Sequence, residues 1–110
     1  MLSHSLRLEV GRLTLELVSG RVWVGAQEIH LTPREFAVLL YFAQHPGRLV
    51  GDAELLDAVW GTEISIGDAA LRSVIKRLRR KLGDDARHPQ YIVTVWGRGY
   101  RFEANSSNGQ

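Results

Sequence analysis

The chain has 110 residues, the length of one domain, and with 45% apolar and 24% charged residues it can bury a single core. It has no cysteine, which excludes disulfides, thiol nucleophiles and thiolate metal sites and fits a reducing compartment. The net charge of +2 is unevenly distributed: residues 1–65 carry a net −3, whereas residues 66–101 carry nine Lys and Arg against three Asp, a net +6. This basic segment indicates either a polyanion-binding surface or a solvated helix face.

The N-terminal part of the chain predicts a small antiparallel meander of four strands. Short β-type runs at 6–10, 13–17, 22–24 and 28–31 are separated by glycine-containing turn signals. Apolar and polar residues alternate in the first two runs, so each strand has one face for a core and one for water. The residues expected on the core side are Leu6, Leu8, Val10, Leu13, Leu15 and Leu17.

Two helices are predicted to cover that sheet. Thr32, Pro33 and Glu35 form a capping box with proline at the first helical position, and the helix should end near Pro46. Its expected inward stripe is Phe36, Leu39, Leu40 and Ala43. A second helix is predicted from about Asp52 to Trp60, and Gly61 is expected to end it. Its inward-facing residues should be Leu56, Val59 and Trp60.

A third helix is predicted over residues 68–82, apolar on one side and cationic on the other. Its inward stripe is Leu71, Ile75, Leu78 and Leu82. Its outer side carries two columns, one of Arg72, Lys76 and Arg79 and one of Ser73, Arg77 and Arg80, with Lys81 beside them. A membrane-surface helix usually has larger apolar wedges, so packing against the second helix explains the aliphatic stripe better.

Two helices joined by a short loop, the second of them cationic, form the helix-turn-helix arrangement, whose second helix enters the major groove of DNA. The base-reading candidates are Arg72, Ser73, Lys76 and Arg77. The phosphate-contact candidates are Arg79, Arg80, Lys81 and Thr94. The alternative for individual residues is an ion pair along the helix or between helices, with Glu54, Asp57 or Asp84 as the acceptor.

The chain is predicted to end in a β-hairpin. A strand at 91–95 and a strand at 100–102 flank Trp96-Gly97-Arg98-Gly99, whose glycines permit a tight turn with Arg98 at its tip. Arg98 either enters a minor groove or belongs to an ordinary solvated turn; the neighbouring basic helix favours the groove. The two glycines do not form a nucleotide-binding loop, because a strand rather than a helix follows them.

The sequence resembles the OmpR/PhoB-type winged helix-turn-helix effector domain of response regulators over about Leu6 to Glu103. The resemblance is carried by three runs, LTPREFAVLLYFAQHPGRLVGDAELLDAVWG, ALRSVIKRLRRKLGDD and PQYIVTVWGRGYRF. Its most specific pieces are Leu31-Thr32 with Glu35, Val59-Trp60-Gly61, Leu78-Arg79 with Lys81-Leu82, and Thr94-Val95 with Gly97, Gly99 and Tyr100.

The resemblance implies an α+β fold with an N-terminal four-stranded sheet, a three-helix core whose third helix reads the major groove, and a hairpin wing at the minor groove. The function it implies is sequence-specific binding of double-stranded DNA in transcription regulation. It also implies tandem dimers on direct repeats and contact between RNA polymerase and the loop 61–67. The cytoplasm is the expected location on other grounds, because no apolar run approaches the roughly 20 residues needed to span a bilayer and residues 1–5 lack the features of a signal peptide.

The chain departs from the family pattern at two places. Many members carry a Val-Asp-Val-His-type run early in the third helix, where this chain has Leu71-Arg72-Ser73-Val74, so base preferences do not transfer; this start resembles that of one-component or multidomain regulators. The wing position that often holds arginine is Trp96. Three roles are open for Trp96: a buried hairpin anchor, an apolar contact to a sugar, or a contact to a neighbouring domain.

Catalysis is not expected from this sequence. The four histidines are dispersed without metal-ligand spacing, neither a G-x-S-x-G elbow nor a P-loop occurs, and Asp84-Asp85 directly after a helix indicates a turn. No metal, cofactor or membrane partner is expected.

The second hypothesis is a winged-helix protein-interaction module. Such a module would tolerate an acidic or apolar outer face on the third helix, whereas the face in this chain is cationic, which favours DNA binding. Residues 1–5 are expected to be a disordered start, 6–103 the domain, and 104–110 a polar tail or linker.

Overall fold

A computed structural model describes residues 6–61, 67–84 and 91–103. The predicted N-terminal meander is confirmed as a four-stranded antiparallel sheet in sequence order. Its strands are β1 (Arg7–Val10), β2 (Leu13–Glu16), β3 (Val22–Val24) and β4 (Gln27–Ile29). Because β4 begins at Gln27 and ends at Ile29, the last predicted strand was placed slightly too far along the chain.

Three helices follow, as expected: α1 (Pro33–Gln44), α2 (Asp52–Trp60) and α3 (Asp68–Leu82). The capping box of α1 is present in full, with the Glu35 N–H donating to Thr32 Oγ1 at 3.2 Å and the Thr32 N–H donating to Glu35 Oε1 at 2.9 Å. α3 ends at Gly83 in the left-handed conformation, a backbone geometry that glycine adopts without steric cost.

The wing is a three-stranded sheet in the order β5-β7-β6, formed by β5 (Leu49–Val50), β6 (Ile92–Val95) and β7 (Gly99–Phe102). The hairpin β6–β7 was predicted, but the pairing of Leu49 and Val50 with β7 was not. That pairing joins β7 to the segment between α1 and α2. The β6–β7 hairpin is therefore part of a three-stranded sheet and does not project as an isolated pair of strands.

A single core joins the two sheets and the three helices. The predicted stripe of α3 is fully confirmed, and Val74 extends it. In α2, Leu55 rather than Leu56 or Val59 is completely buried, because the helix turns its Leu55–Trp60 side toward the core. Leu6 and Leu17 were expected on the core side but are exposed, since they lie at the open end of the β1–β2 hairpin, where the Leu17 N–H donates to the Leu6 carbonyl at 2.9 Å. Within the described residues, no helix combines the length and apolarity needed to cross a bilayer.

Candidate nucleic-acid interface

α3 presents a broad cationic face to solvent. All the buried residues of α3 are aliphatic, and the basic side chains lie on the opposite side of the helix. Of the predicted base-reading residues, all four are exposed: Arg72, Ser73, Lys76 and Arg77. Of the predicted phosphate-binding residues, Arg80 is exposed, whereas Arg79, Lys81 and Thr94 are half-buried. The structure thus divides the cations of α3 into solvent-facing residues and residues used in packing.

A groove with a volume of about 600 Å³ runs between α3 and the wing. Its helix wall is formed mainly by Arg72, Lys76, Arg79 and Arg80. Its opposite wall and floor are formed by Thr94, Trp96 and Tyr100. Within the described part of the chain, the guanidinium and ammonium groups of Arg72, Lys76 and Arg80 have no hydrogen-bond or ion-pair partner. Asp84 also lines the groove, but four cationic side chains outnumber it, so the groove carries a net positive charge.

Arg79 links α3 to the wing. Its Nη2 donates to the carbonyl oxygen of Ile92 at 2.8 Å and to Thr94 Oγ1 at 2.7 Å, and its Nε donates to the same carbonyl at 3.2 Å. Both Arg79 and Thr94 were predicted to contact phosphate; the structure shows that they bind each other. A planar guanidinium with several donors suits this double role, because it can hold two acceptors at once.

On the other edge of α3, Arg77 and Lys81 converge on Glu35 of α1. Lys81 Nζ lies 2.7 Å from Glu35 Oε1, and Arg77 Nε lies 3.3 Å from Glu35 Oε2. The Glu35 side chain is 0% exposed, whereas those of Arg77 and Lys81 are 47% and 34% exposed. Arg77 Nη1 also donates to Ser73 Oγ at 2.8 Å. This cluster, Glu35–Arg77–Lys81, connects α1 to the exposed face of α3.

Burial raises the pKa of the Glu35 carboxyl, but hydrogen bonds from Lys81 and the Thr32 N–H, together with Arg77, outweigh it, so the pKa lies below its ordinary value. Glu35 is thus held as a carboxylate inside the protein. A buried carboxylate with several donors is the arrangement that makes burial of a charge tolerable.

The sequence reasoning recognised the capping role of Glu35 but missed its interhelical role. It expected Glu54, Asp57 or Asp84 as acceptors for the cations of α3. Glu54 instead binds Arg48, with 2.6 Å between Oε2 and Nη2, and Asp84 Oδ2 accepts from the N–H groups of Tyr91 and Ile92. The signal that could have found Glu35 is its position: in the first turn of α1, it shares the inward side with Val38, Leu39 and Phe42, which follow at three, four and seven residues.

The tip of the wing is closed by a hydrogen bond of 2.9 Å from the Arg98 N–H to the Val95 carbonyl. Gly99 at its base has φ +142°, and a Cβ there would collide with the Val50 carbonyl oxygen and lie 2.8 Å from the Gly51 Cα. Only glycine lets β7 pass this close to β5. Arg98 is exposed as predicted, and Trp96 is 88% exposed, which excludes a buried hairpin anchor.

Comparison with known proteins agrees with this architecture. The family described as "Transcriptional regulatory protein, C terminal" matches residues 26–102. The chain belongs to this OmpR/PhoB-type family. The transcriptional regulatory protein KdpE of Mycobacterium tuberculosis is 42% identical over 97 residues, which cover 88% of this chain and 43% of KdpE. The phosphate regulon transcriptional regulatory protein PhoB of Escherichia coli is 37% identical over 95 residues, which cover 86% of this chain and 41% of PhoB. The chain therefore spans less than half the length of these relatives.

A solved structure of the OmpR/PhoB type is similar over almost its full length. The DNA-binding domain of RstA from Klebsiella pneumoniae, crystallised in complex with the RstA box, superposes with a TM-score of 0.82 at 32% identity. The superposition covers 89% of this chain and 97% of the RstA domain. The predicted winged helix-turn-helix fold is thus confirmed for this OmpR/PhoB-type chain.

Several predictions about this OmpR/PhoB-type domain lie outside the described residues. They concern the disordered start at 1–5, most of the polymerase-facing loop 61–67, Asp85 of the Asp84-Asp85 turn, and the tail at 104–110. Among the residues that are described, no group of three His, Asp or Glu is placed to hold a metal ion.

Proposed function

We propose that this chain binds double-stranded DNA sequence-specifically as the DNA-binding domain of a transcriptional regulator. In this proposal α3 lies in the major groove, and the turn at the tip of the wing, residues 96–99, lies at the minor groove. The observation that carries the proposal is the cationic groove between α3 and the wing, in which Arg72, Lys76 and Arg80 have no acceptor among the described residues. The RstA domain, similar over 97% of its length, was crystallised with its DNA box, which supports the same use of the fold here.

The dimensions of α3 fit this use. Its 15 residues are about 22 Å long, and an α-helix fits the roughly 12 Å width of the major groove. Arg72, Ser73, Lys76 and Arg77 remain the base-reading candidates. The forked guanidinium of an arginine can donate to both O6 and N7 of guanine. Because Ser73 Oγ already accepts from Arg77, the two residues present one hydrogen-bonded unit to a base edge.

Arg79, Arg80, Lys81 and Thr94 remain the phosphate candidates. Arg80 is exposed and its charge is available in full, whereas Arg79 and Lys81 each use donors inside the protein. We therefore rank Arg80 as the strongest phosphate contact of α3. The Lys81 ammonium group is already bound to Glu35 and the Arg79 guanidinium group to the Ile92 carbonyl. These two residues therefore add to the positive potential around α3 and to its positioning more than they contact phosphates directly.

We also propose that the domain acts by binding rather than by catalysis and that it works in the cytoplasm, where a transcriptional regulator of this family meets DNA. We further propose that residues 6–103 form the functional domain, that two copies bind direct repeats in tandem, and that the loop 61–67 contacts RNA polymerase. These proposals rest on membership of the family.

The test is a salt titration of duplex binding, followed by selection of bound sites from randomised duplexes. If about four to six phosphates are neutralised, log K falls with log salt at a slope near −0.9 per contact. Arg80→Ala should weaken all duplexes alike and reduce the slope by about one unit, while Arg77→Ala should cost about 1–3 kcal/mol on the selected site and relax one base preference. Arg7→Ala, on the N-terminal sheet, is the matched control and should leave binding unchanged.

A protein-interaction module is the competing function. It predicts a flat salt response and no enrichment of any duplex; the first result would refute DNA binding, and the second would refute its sequence specificity.

A further inference from the structure

We propose that Glu35 of α1 sets the base discrimination of this domain without touching DNA. The inference rests on the proposed function and deepens it, because it assigns control of specificity to a residue outside α3. Glu35 is the one buried charged residue among those that the structure describes, and its side chain is 0% exposed. It can act on DNA only through the side chains that it binds, so it is a positioning residue and not a contact residue.

The Glu35 carboxylate has a fixed place in the protein. Its Oε1 accepts from the Thr32 N–H at 2.9 Å and from Lys81 Nζ at 2.7 Å, and its Oε2 accepts from Arg77 Nε at 3.3 Å. The Thr32 N–H belongs to the backbone at the start of α1, and a fully buried side chain has little room to move. Arg77 and Lys81 are therefore bound to a reference point outside their own helix.

The guanidinium of Arg77 is held at two nitrogens. Glu35 binds Nε, and Ser73 Oγ accepts from Nη1 at 2.8 Å, whereas Nη2 has no partner among the described residues. Because a guanidinium is planar, two bound nitrogens fix its plane, and three of its five N–H groups remain for a ligand. The Arg77 side chain is still 47% exposed. Arg77 is thus oriented before a duplex arrives, which lowers the entropy lost when it binds a base.

Glu35 has the opposite effect on Lys81. The Lys81 ammonium group lies 2.7 Å from a buried carboxylate oxygen, and its side chain is 34% exposed. An ammonium group that is bound in this way is less available to phosphates, whose contacts carry no sequence information. One carboxylate therefore favours base reading by Arg77 and restrains sequence-independent binding by Lys81. Specificity is the ratio of the two affinities, so both effects raise it.

The test is the affinity of Glu35→Gln for three duplexes over a range of salt concentrations. They are the selected site, the same site changed at the base pair that Arg77→Ala relaxes, and a duplex of mixed sequence. Gln retains the shape but has no charge to hold Arg77, so discrimination at that base pair should fall about three- to tenfold. Because Lys81 is released for one more phosphate, binding of the mixed duplex should strengthen at low salt, with a slope steeper by about 0.9.

Three variants serve as controls. Glu28→Gln removes a carboxylate from an exposed ion pair with Arg21 on the N-terminal sheet, and it should leave all the affinities unchanged. Glu35→Gln combined with Arg77→Ala should discriminate at the chosen base pair like Arg77→Ala alone, because the two changes remove the same contact. Glu35→Gln combined with Lys81→Ala should have the same salt slope as Lys81→Ala alone.

A loss of stability in Glu35→Gln does not mask the result. Discrimination is a ratio of two Kd values from one preparation, so an unfolded fraction cancels. If Glu35→Gln does not fold at all, Ser73→Ala releases the other anchor of Arg77 on the exposed side of α3. It should relax the same base pair as Arg77→Ala, and relaxation of a different base pair alone would contradict the proposal.

The outcomes separate this inference from the proposed function. If the unmodified chain binds no duplex or discriminates between none, the proposed function fails. If the chain discriminates but Glu35→Gln weakens all three duplexes by the same factor, Glu35 has only a structural role and the inference is wrong, while the proposed function stands. Unchanged affinities in Glu35→Gln, or an Arg77→Ala variant that relaxes no base pair, would also overturn the inference alone.

Discussion

Replacing Glu35 with Gln tests whether one buried carboxylate holds α3 on α1. Gln has nearly the same volume and its carbonyl oxygen can still accept from the Thr32 N–H, so the capping box survives in part. The substitution removes the negative charge that faces Lys81 at 2.7 Å and Arg77 at 3.3 Å. The expected result is a lower free energy of unfolding at neutral pH, without loss of the fold.

The magnitude follows from the exposure of the partners. A hydrogen bond to a charged group contributes about 1.5–3 kcal/mol. Arg77 and Lys81 keep 47% and 34% of their side chains in water, so each recovers solvation when the carboxylate is lost, and each contact is discounted to about 0.5–1 kcal/mol. The expected loss for Glu35→Gln is therefore about 1–2 kcal/mol.

The pH dependence identifies the cause. The pKa of Glu35 is lower in the folded chain than in the unfolded chain, where it is about 4.3. The stability that this carboxylate contributes is fully present above the unfolded pKa and is lost as pH falls through the folded pKa. Denaturant unfolding at several pH values between 3 and 7 should show the full difference between Glu35→Gln and the unmodified chain at pH 7, and convergence at low pH.

Two results would refute this reasoning. Equal unfolding free energies at pH 7 would mean that the ion pairs contribute nothing, and a difference that stays constant from pH 7 to pH 3 would mean that shape rather than charge matters. Glu28→Gln is the control, since Glu28 forms an exposed ion pair with Arg21 on the sheet surface and its loss should matter much less.

Three further predictions concern the wing and the core. Gly99→Ala should destabilise by about 2–4 kcal/mol, whereas Gly97→Ala, with open space around its Cβ, should cost only about 1 kcal/mol for its positive φ; equal effects in thermal unfolding would contradict the proposed collision with β5. Leu78→Ala should lower the unfolding free energy by about 2–5 kcal/mol, because the side chain is fully buried; a loss below about 1 kcal/mol would mean that the site collapses around the cavity. Arg79→Met should leave the aliphatic packing but release Ile92 and Thr94, so amide hydrogen exchange should accelerate in β6 and remain unchanged in β1.

The helices were predictable because their signals are local. The capping box at Thr32 and the four-residue spacing of Leu71 and Ile75 act within one or two turns, and the structure confirms both. The contacts that shape the site join residues far apart in the chain. Glu35 meets Lys81 across 46 positions, and β5 has only two residues, too few to show a period. The sequence therefore predicts the apolar and cationic faces of the helices, but it does not predict which carboxylate pairs with which basic side chain of α3.

The bridge from Arg79 to Ile92 and Thr94 connects α3 directly to the wing. In a duplex bound to both elements, the distance between the major-groove contact and the minor-groove contact is set by the protein. The DNA has to bend or narrow a groove until its own geometry matches that distance. The free energy of that deformation depends on the base sequence, so under the proposed function the domain discriminates between operators at positions that no side chain touches. Loosening the bridge should then broaden the range of bound sequences even where every base-reading side chain is retained.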